Sequence, residues 1–147
     1  MPRIQIDLPT SLPFTTTLPL YGTHINSRGH LDNALLLTLV SEARTRMISS
    51  LGFQESDIDG VGVIVADAAV QYQSEAFHGE SMQIAMGAAA FNKYGCDLMW
   101  QMRDQATQRE IARGKTGIVF FDYEQRRVAP IPPAFLHSLE TLAQSDS

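Results

Sequence analysis

Cysteine is nearly absent from this 147-residue chain. Cys96 stands alone, which excludes an intrachain disulfide and any metal site built from several thiolates. That usage fits a reducing compartment. Long hydrophobic runs are missing too, and none approaches the ~18 residues that a membrane-spanning helix needs. Pro9, Pro13 and Pro19 interrupt residues 1–20 and Asp7 lies among them, so no signal-peptide core is expected there. Positive charge is scarce: 11 Lys and Arg stand against 16 Asp and Glu, a net charge of −5. A nucleic-acid binder needs a basic face, and this balance argues against one. An anionic substrate would need local Arg or Lys to outweigh the global sign. The expectation is a cytoplasmic protein that meets neither nucleic acid nor membrane.

What is present is an ordinary globular composition, 44% apolar and 18% charged, enough for one domain over residues 1–147 with a real core. The chain is organised around Tyr21 to Gly52. This stretch opens with a glycine-bearing loop, Thr23 to Gly29, and continues as a helix. Ala34, Leu35, Leu36, Leu37, Leu39 and Val40 cover almost the whole circumference of its first two turns, which predicts burial on all sides. Beyond them the stripe narrows to Val40, Ala43, Met47 and Leu51. Asp32 or Asn33 can cap the start, and Gly52 can end the helix in a left-handed conformation.

The remainder alternates like β-strand. Phe14 to Leu20 reads as a first strand after an irregular arm over residues 1–12, with Pro19 marking an edge. Gly60 to Tyr72 is apolar on both alternating faces, which predicts a strand covered on both sides, with Asp67 the oddity inside it. Ser81 to Phe91, Cys96 to Arg103 and Arg109 to Tyr123 follow, and a short helix over about 134–143 closes the chain. The expected architecture is α+β: one long central helix wrapped by a curved five-stranded antiparallel sheet, its last four strands a meander. Such a sheet leaves an exposed edge, and dimerisation by strand pairing is the simplest remedy.

Gly29-His30-Leu31-Asp32-Asn33, then Ser41-Glu42-Ala43-Arg44, resembles the hotdog-fold acyl-CoA thioesterases of the 4-hydroxybenzoyl-CoA thioesterase type. Tyr72 with Ala76-Phe77-His78-Gly79-Glu80 is similar to that family's strand break. Ile111 to Lys115, Phe120-Phe121-Asp122 and Pro130-Ile131-Pro132 are similar to its last strand and exit. The likeness spans roughly residues 13–135. It implies the hotdog fold, homodimers or homotetramers with sites at the subunit interface, and hydrolysis of an acyl-CoA or acyl-carrier-protein thioester. No cofactor is implied beyond the coenzyme A that arrives as part of the substrate, and no metal. One departure stands out. The family's catalytic Asp, three residues before the Gly of Gly-His, is here Asn26, which can neither attack a thioester nor take a proton from water. A non-catalytic acyl or acyl-CoA binding protein is therefore the alternative.

Thioester hydrolysis needs an activated water or carboxylate and donors for the developing oxyanion. The Gly29–His30 amides, at the start of a helix, are the expected donors, although Gly29 can equally serve only to turn the chain. Asn26 can hold water or simply cap its loop. His24 can act as base in place of the missing carboxylate, or be an ordinary loop histidine. His30 suits a structural donor that ties the loop down. Asp32 is a substitute carboxylate or a plain N-cap. Glu42 lies ~15 Å further along the helix and is either a second carboxylate or the partner of Arg46. Arg113, Lys115 and Arg126 are the expected contacts for coenzyme A phosphates, against the plainer reading of solvated surface cations.

Overall fold

The computed structural model describes residues 3–145. At its centre is α1, Asn33–Ser50. Asp32 stands at the N-cap with extended backbone, and its Oδ1 accepts from the N–H groups of Ala34 (2.9 Å) and Leu35 (3.1 Å). A short acidic side chain is suited to this place because it answers donors that no helical carbonyl reaches. At the other end Gly52 takes a φ of +90°, which costs a residue without Cβ nothing and lets Phe53 N–H return to Ile48 O. Leu36, Leu39, Val40, Ala43, Met47 and Ile48 are buried. Ala34 is exposed and Leu35 and Leu37 are half-buried. Burial on all sides of the helix start is therefore not reached within one chain.

The strands are β1 (Phe14–Pro19), β2 (Gly62–Tyr72), β3 (Ser81–Ala89), β4 (Gly95–Asp104) and β5 (Glu110–Asp122), with a two-residue β6 (Arg127–Val128). They pair antiparallel in the order β1-β3-β4-β5-β2, and β6 adds to β5. This is the expected helix in a curved antiparallel sheet, with one more short strand than the alternation shows. A meander holds only for β3 to β5. β2 pairs with β5, because the chain after Tyr72 makes no tight hairpin: Gln73 and Ser74 N–H both donate to Ile111 O, and Ala76 O accepts from Leu31 N–H. The connection thus runs along the start of α1 before β3 begins.

Both outer strands, β1 and β2, are edges. The expectation that β2 is covered on both sides fails within one chain. Ile64 is 36% and Val65 48% exposed, and the register shifts between Val65 and Asp67, the mark of a β-bulge. The core lies between sheet and helix, around Trp100, Phe120, Met47 and Met82. Trp100 fits because β5 carries glycine opposite it: a Cβ on Gly114 would lie 2.4 Å from the indole and 2.4 Å from Ala69 O. Finally α2, Pro133–Ser145, closes the core by setting Phe135 edge-on to Phe53 and Phe120, at 5.6 and 5.5 Å between ring centres. The N-terminal arm is tied to the sheet where Ile6 N–H donates to Gln71 Oε1 and Arg113 donates to Ile6 O. Residues 1 and 2 of the expected arm lie outside the described residues.

Candidate active site

The loop before α1 is built on Asn26. Its Oδ1 accepts from Arg28 N–H (3.0 Å) and His30 N–H (3.3 Å), and its carbonyl accepts from Gly29 N–H (3.0 Å). An Asx side chain closing a turn in this way leaves one residue in the left-handed region, and Gly29 takes it with a φ of +87°. His24 closes a single 3₁₀ turn, Gly22–His24, accepting from Tyr21 N–H at 3.0 Å while its ring stacks on Tyr21.

Two backbone contacts lay the β2–β3 connection beside this loop. Leu31 N–H donates to Ala76 O at 2.7 Å, and His30 bridges to Phe77. They bring Glu75 to His30, with Oε1 3.6 Å from Nε2. Tyr72 at the end of β2 donates its hydroxyl to Asn33 O at 3.0 Å. Between loop, connection and helix start lies a cavity of about 480 Å³. Asn26, Arg28, His30, Asn33, Tyr72 and Glu75 are among its polar lining residues, and Leu31, Leu36, Ala76 and Ile111 are the apolar ones. A few convergent polar groups over an apolar lining is what a small-molecule site looks like.

Donors at the helix start can be counted one by one. Asp32 N–H goes to His24 O, and Leu36 N–H to Asp32 O. Asp32 Oδ1 takes Ala34 and Leu35. Gly29 and His30 N–H are both spent on Asn26, so these two do not match their expected role as oxyanion donors. The N–H that finds no acceptor among the described residues is that of Asn33, which lines the cavity.

The remaining expected residues are placed apart. Glu42 faces Arg46 at 3.6 Å and both are half-exposed, so within one chain it does not reach the cavity. Arg113 donates to both carboxylate oxygens of Glu110. Lys115 sits between Asp67 (3.0 Å) and Asp97 (3.3 Å). Its hydrogen bond to Asp67 leads in raising its pKa above the ordinary lysine value, over an opposing desolvation and with further help from Asp97. Asp67 is therefore the outward-facing structural partner of that lysine. Arg126 lies in the turn between β5 and β6 with a φ of +56°. None of these three cations lines the cavity, and Arg28 does.

Glu75 is the residue that reading the sequence overlooks. It falls in a connection notable there only for Ala76 to Glu80, and its one signal is a carboxylate just past the end of an apolar strand. Cys96 is buried, and burial, then Asp97, pushes its thiol up to about 12, which makes it no nucleophile. Among the described residues no group of three or more His, Cys, Asp or Glu is placed to hold a metal ion.

Residues 22–139 match the family model for the thioesterase-like superfamily. The chain belongs to that superfamily. Solved structures share its fold at low sequence identity. The 1,4-dihydroxy-2-naphthoyl-CoA thioesterase of Synechocystis superposes with a TM-score of 0.79 at 16% identity, covering 86% of this chain and 94% of that one. A Staphylococcus aureus protein in complex with CoA gives 0.82 at 14% identity, over 91% and 85%. A thioesterase of Thermus thermophilus complexed with coenzyme A and Zn gives 0.76 at 18%, over 90% and 95%. No curated protein matches by sequence. Among the described residues of this thioesterase-like protein, no helix is long and apolar enough to cross a membrane.

Proposed function

We propose that this protein hydrolyses acyl-CoA thioesters to the free acid and coenzyme A. The observation that carries this reading is the cavity at the start of α1, lined by an imidazole, a carboxylate and Asn33, whose N–H has no acceptor among the described residues, together with apolar side chains. A thioester oxygen that develops charge needs such a donor fixed in advance, and a helix start supplies it with a favourable dipole. Membership of the thioesterase-like superfamily supports the same chemistry.

The working unit in this reading is a homodimer or homotetramer with the site at a subunit interface. Support comes from the exposed β2 edge, with Ile64 and Val65 open, and from the exposed first turn of α1, since unpaired strand edges invite pairing. Arg28 takes the role of holding coenzyme A phosphates, because Arg113 and Lys115 are already neutralised by carboxylates and Arg126 follows the end of β5 away from the cavity. The decisive assay is purified protein with a panel of aromatic, short and long acyl-CoAs and a thiol reagent. Absence of thiol release above background from every member would refute hydrolysis.

Asn26 favours a second reading. The family's carboxylate position holds an amide here, and that amide is spent on closing its own loop. A protein that binds acyl-CoA without turnover is consistent with this. It predicts saturable binding of acyl-CoA with no thiol release.

A further inference from the structure

We propose that Glu75 is the general base of this hydrolysis, held in place by a relay in which Asn26 fixes His30 and His30 fixes Glu75. The inference rests on the hydrolytic reading above. Asn26 Oδ1 is loaded by two backbone donors, Arg28 N–H and His30 N–H, so the group turned toward His30 is Nδ2, a donor, 3.4 Å from Nδ1. An amide nitrogen cannot accept, so His30 Nδ1 must be the acceptor and its proton sits on Nε2. Nε2 in turn points at Glu75 Oε1, 3.6 Å away. A small rotation closes that gap to a hydrogen bond, and such contacts tighten once substrate is bound. The imidazole therefore donates to the carboxylate and leaves its other oxygen to act on a water.

Elimination favours the same residue. Glu75 is the one carboxylate among the described residues that line the cavity. Asp32 caps two helix amides through one oxygen and does not line the cavity, Glu42 faces Arg46, and Asp67 holds Lys115. The charged groups around Glu75 are His30, Arg28 across the cavity, and Arg109, which donates to Glu75 O at 2.9 Å while engaging Glu80. Arg109 thus anchors the backbone of Glu75 and spends its charge on a different carboxylate.

The step balances without any further reactant. Glu75 takes a proton from water as the water oxygen bonds to the carbonyl carbon. The carbonyl π pair moves to oxygen, which Asn33 N–H receives. The carbon–sulfur bond then breaks, the electron pair leaves on sulfur, and Glu75 returns the proton to the thiolate. Free acid and thiol result.

The test is kinetic. Glu75→Gln keeps size and polarity, and is expected to lower kcat roughly 100-fold or more. Its affinity for a non-hydrolysable acyl-CoA thioether should stay within about threefold of wild type, the spread expected of a neutral change at a binding wall. Glu75→Asp should retain part of the rate, and added formate should restore part of the rate of Glu75→Ala. A Glu75→Gln protein that turns over within about threefold of wild type overturns the assignment while leaving hydrolysis intact. A wild-type protein inactive on every acyl-CoA overturns both.

Discussion

Two polar clusters in this small domain are finished to different degrees. On the sheet, Lys115 of β5 is held between Asp67 of β2 and Asp97 of β4, and one residue pair along the same strand Arg113 meets Glu110, which also accepts from Gln101. Each of these groups sits on a strand whose register fixes its neighbours, so every charge finds its answer. At the start of α1 the groups sit on a loop and a connection. There Asn33 N–H has no acceptor among the described residues, and the Glu75 carboxylate has a single partner among them, at 3.6 Å. The lesson is that a charge inside a strand is not in itself a sign of chemistry. Chemistry is to be sought where donors and acceptors are left open toward a cavity.

Replacing Asn26 by Asp puts this contrast under the greatest strain. A carboxylate beside His30 Nδ1 would draw the imidazole proton to that nitrogen and turn Nε2 into an acceptor facing Glu75. The relay then runs backward, and thiol release should fall about tenfold, the scale of a misoriented acid–base group. A rise instead would mean that the cavity is shaped for the family's usual carboxylate and disabled by the amide, as the binding reading holds. Stopped assays with wild type and N26D side by side decide between them.

Much of the framework is readable from the residues, and the reasons are local. Asp32 and Gly52 bracket the helix because capping depends on only a few neighbouring atoms. The alternation of β3, β4 and β5 locates them within two residues, with Asn92 closing the turn by accepting from Tyr94 and Gly95 N–H. The position of β2 is not readable in this way. An apolar alternation fits an edge or a centre equally, and pairing with β5 is decided by where the chain after Tyr72 travels. Two residues of β6 are too short for any period. Glu75 escapes for the same reason as β2: its meaning depends on the Leu31–Ala76 hydrogen bond, a contact between distant segments. Asn26, His30 and Asp32 are visible as candidates, but only the count of their donors separates the cap from the relay.

A smaller effect belongs to Asp32. If its carboxylate is a cap and not a base, Asp32→Ala should cost about 1 kcal/mol of stability, read as a lower urea midpoint at unchanged slope. Its turnover per folded molecule should change no more than about threefold. A loss of turnover approaching that of Glu75→Gln, with stability intact, would move the chemistry from the connection to the helix.

The smallest effect should come from the finished cluster. Lys115→Met removes the cation between two carboxylates, of which the Asp67 side chain is 60% exposed and readily taken over by water. The cost at neutral pH should stay below about 1 kcal/mol, as for other partly solvated pairs, with thiol release unaltered. The pH dependence gives the sharper readout. A lysine whose folded pKa lies above its unfolded value adds stability that is fully present below the ordinary 10.5 and is lost as pH rises through the folded value. Wild type should therefore lose thermal stability on the alkaline side more steeply than Lys115→Met, and the two curves should draw together there. If turnover falls in Lys115→Met instead, the sheet cluster is part of the working site and the division between finished and open clusters fails.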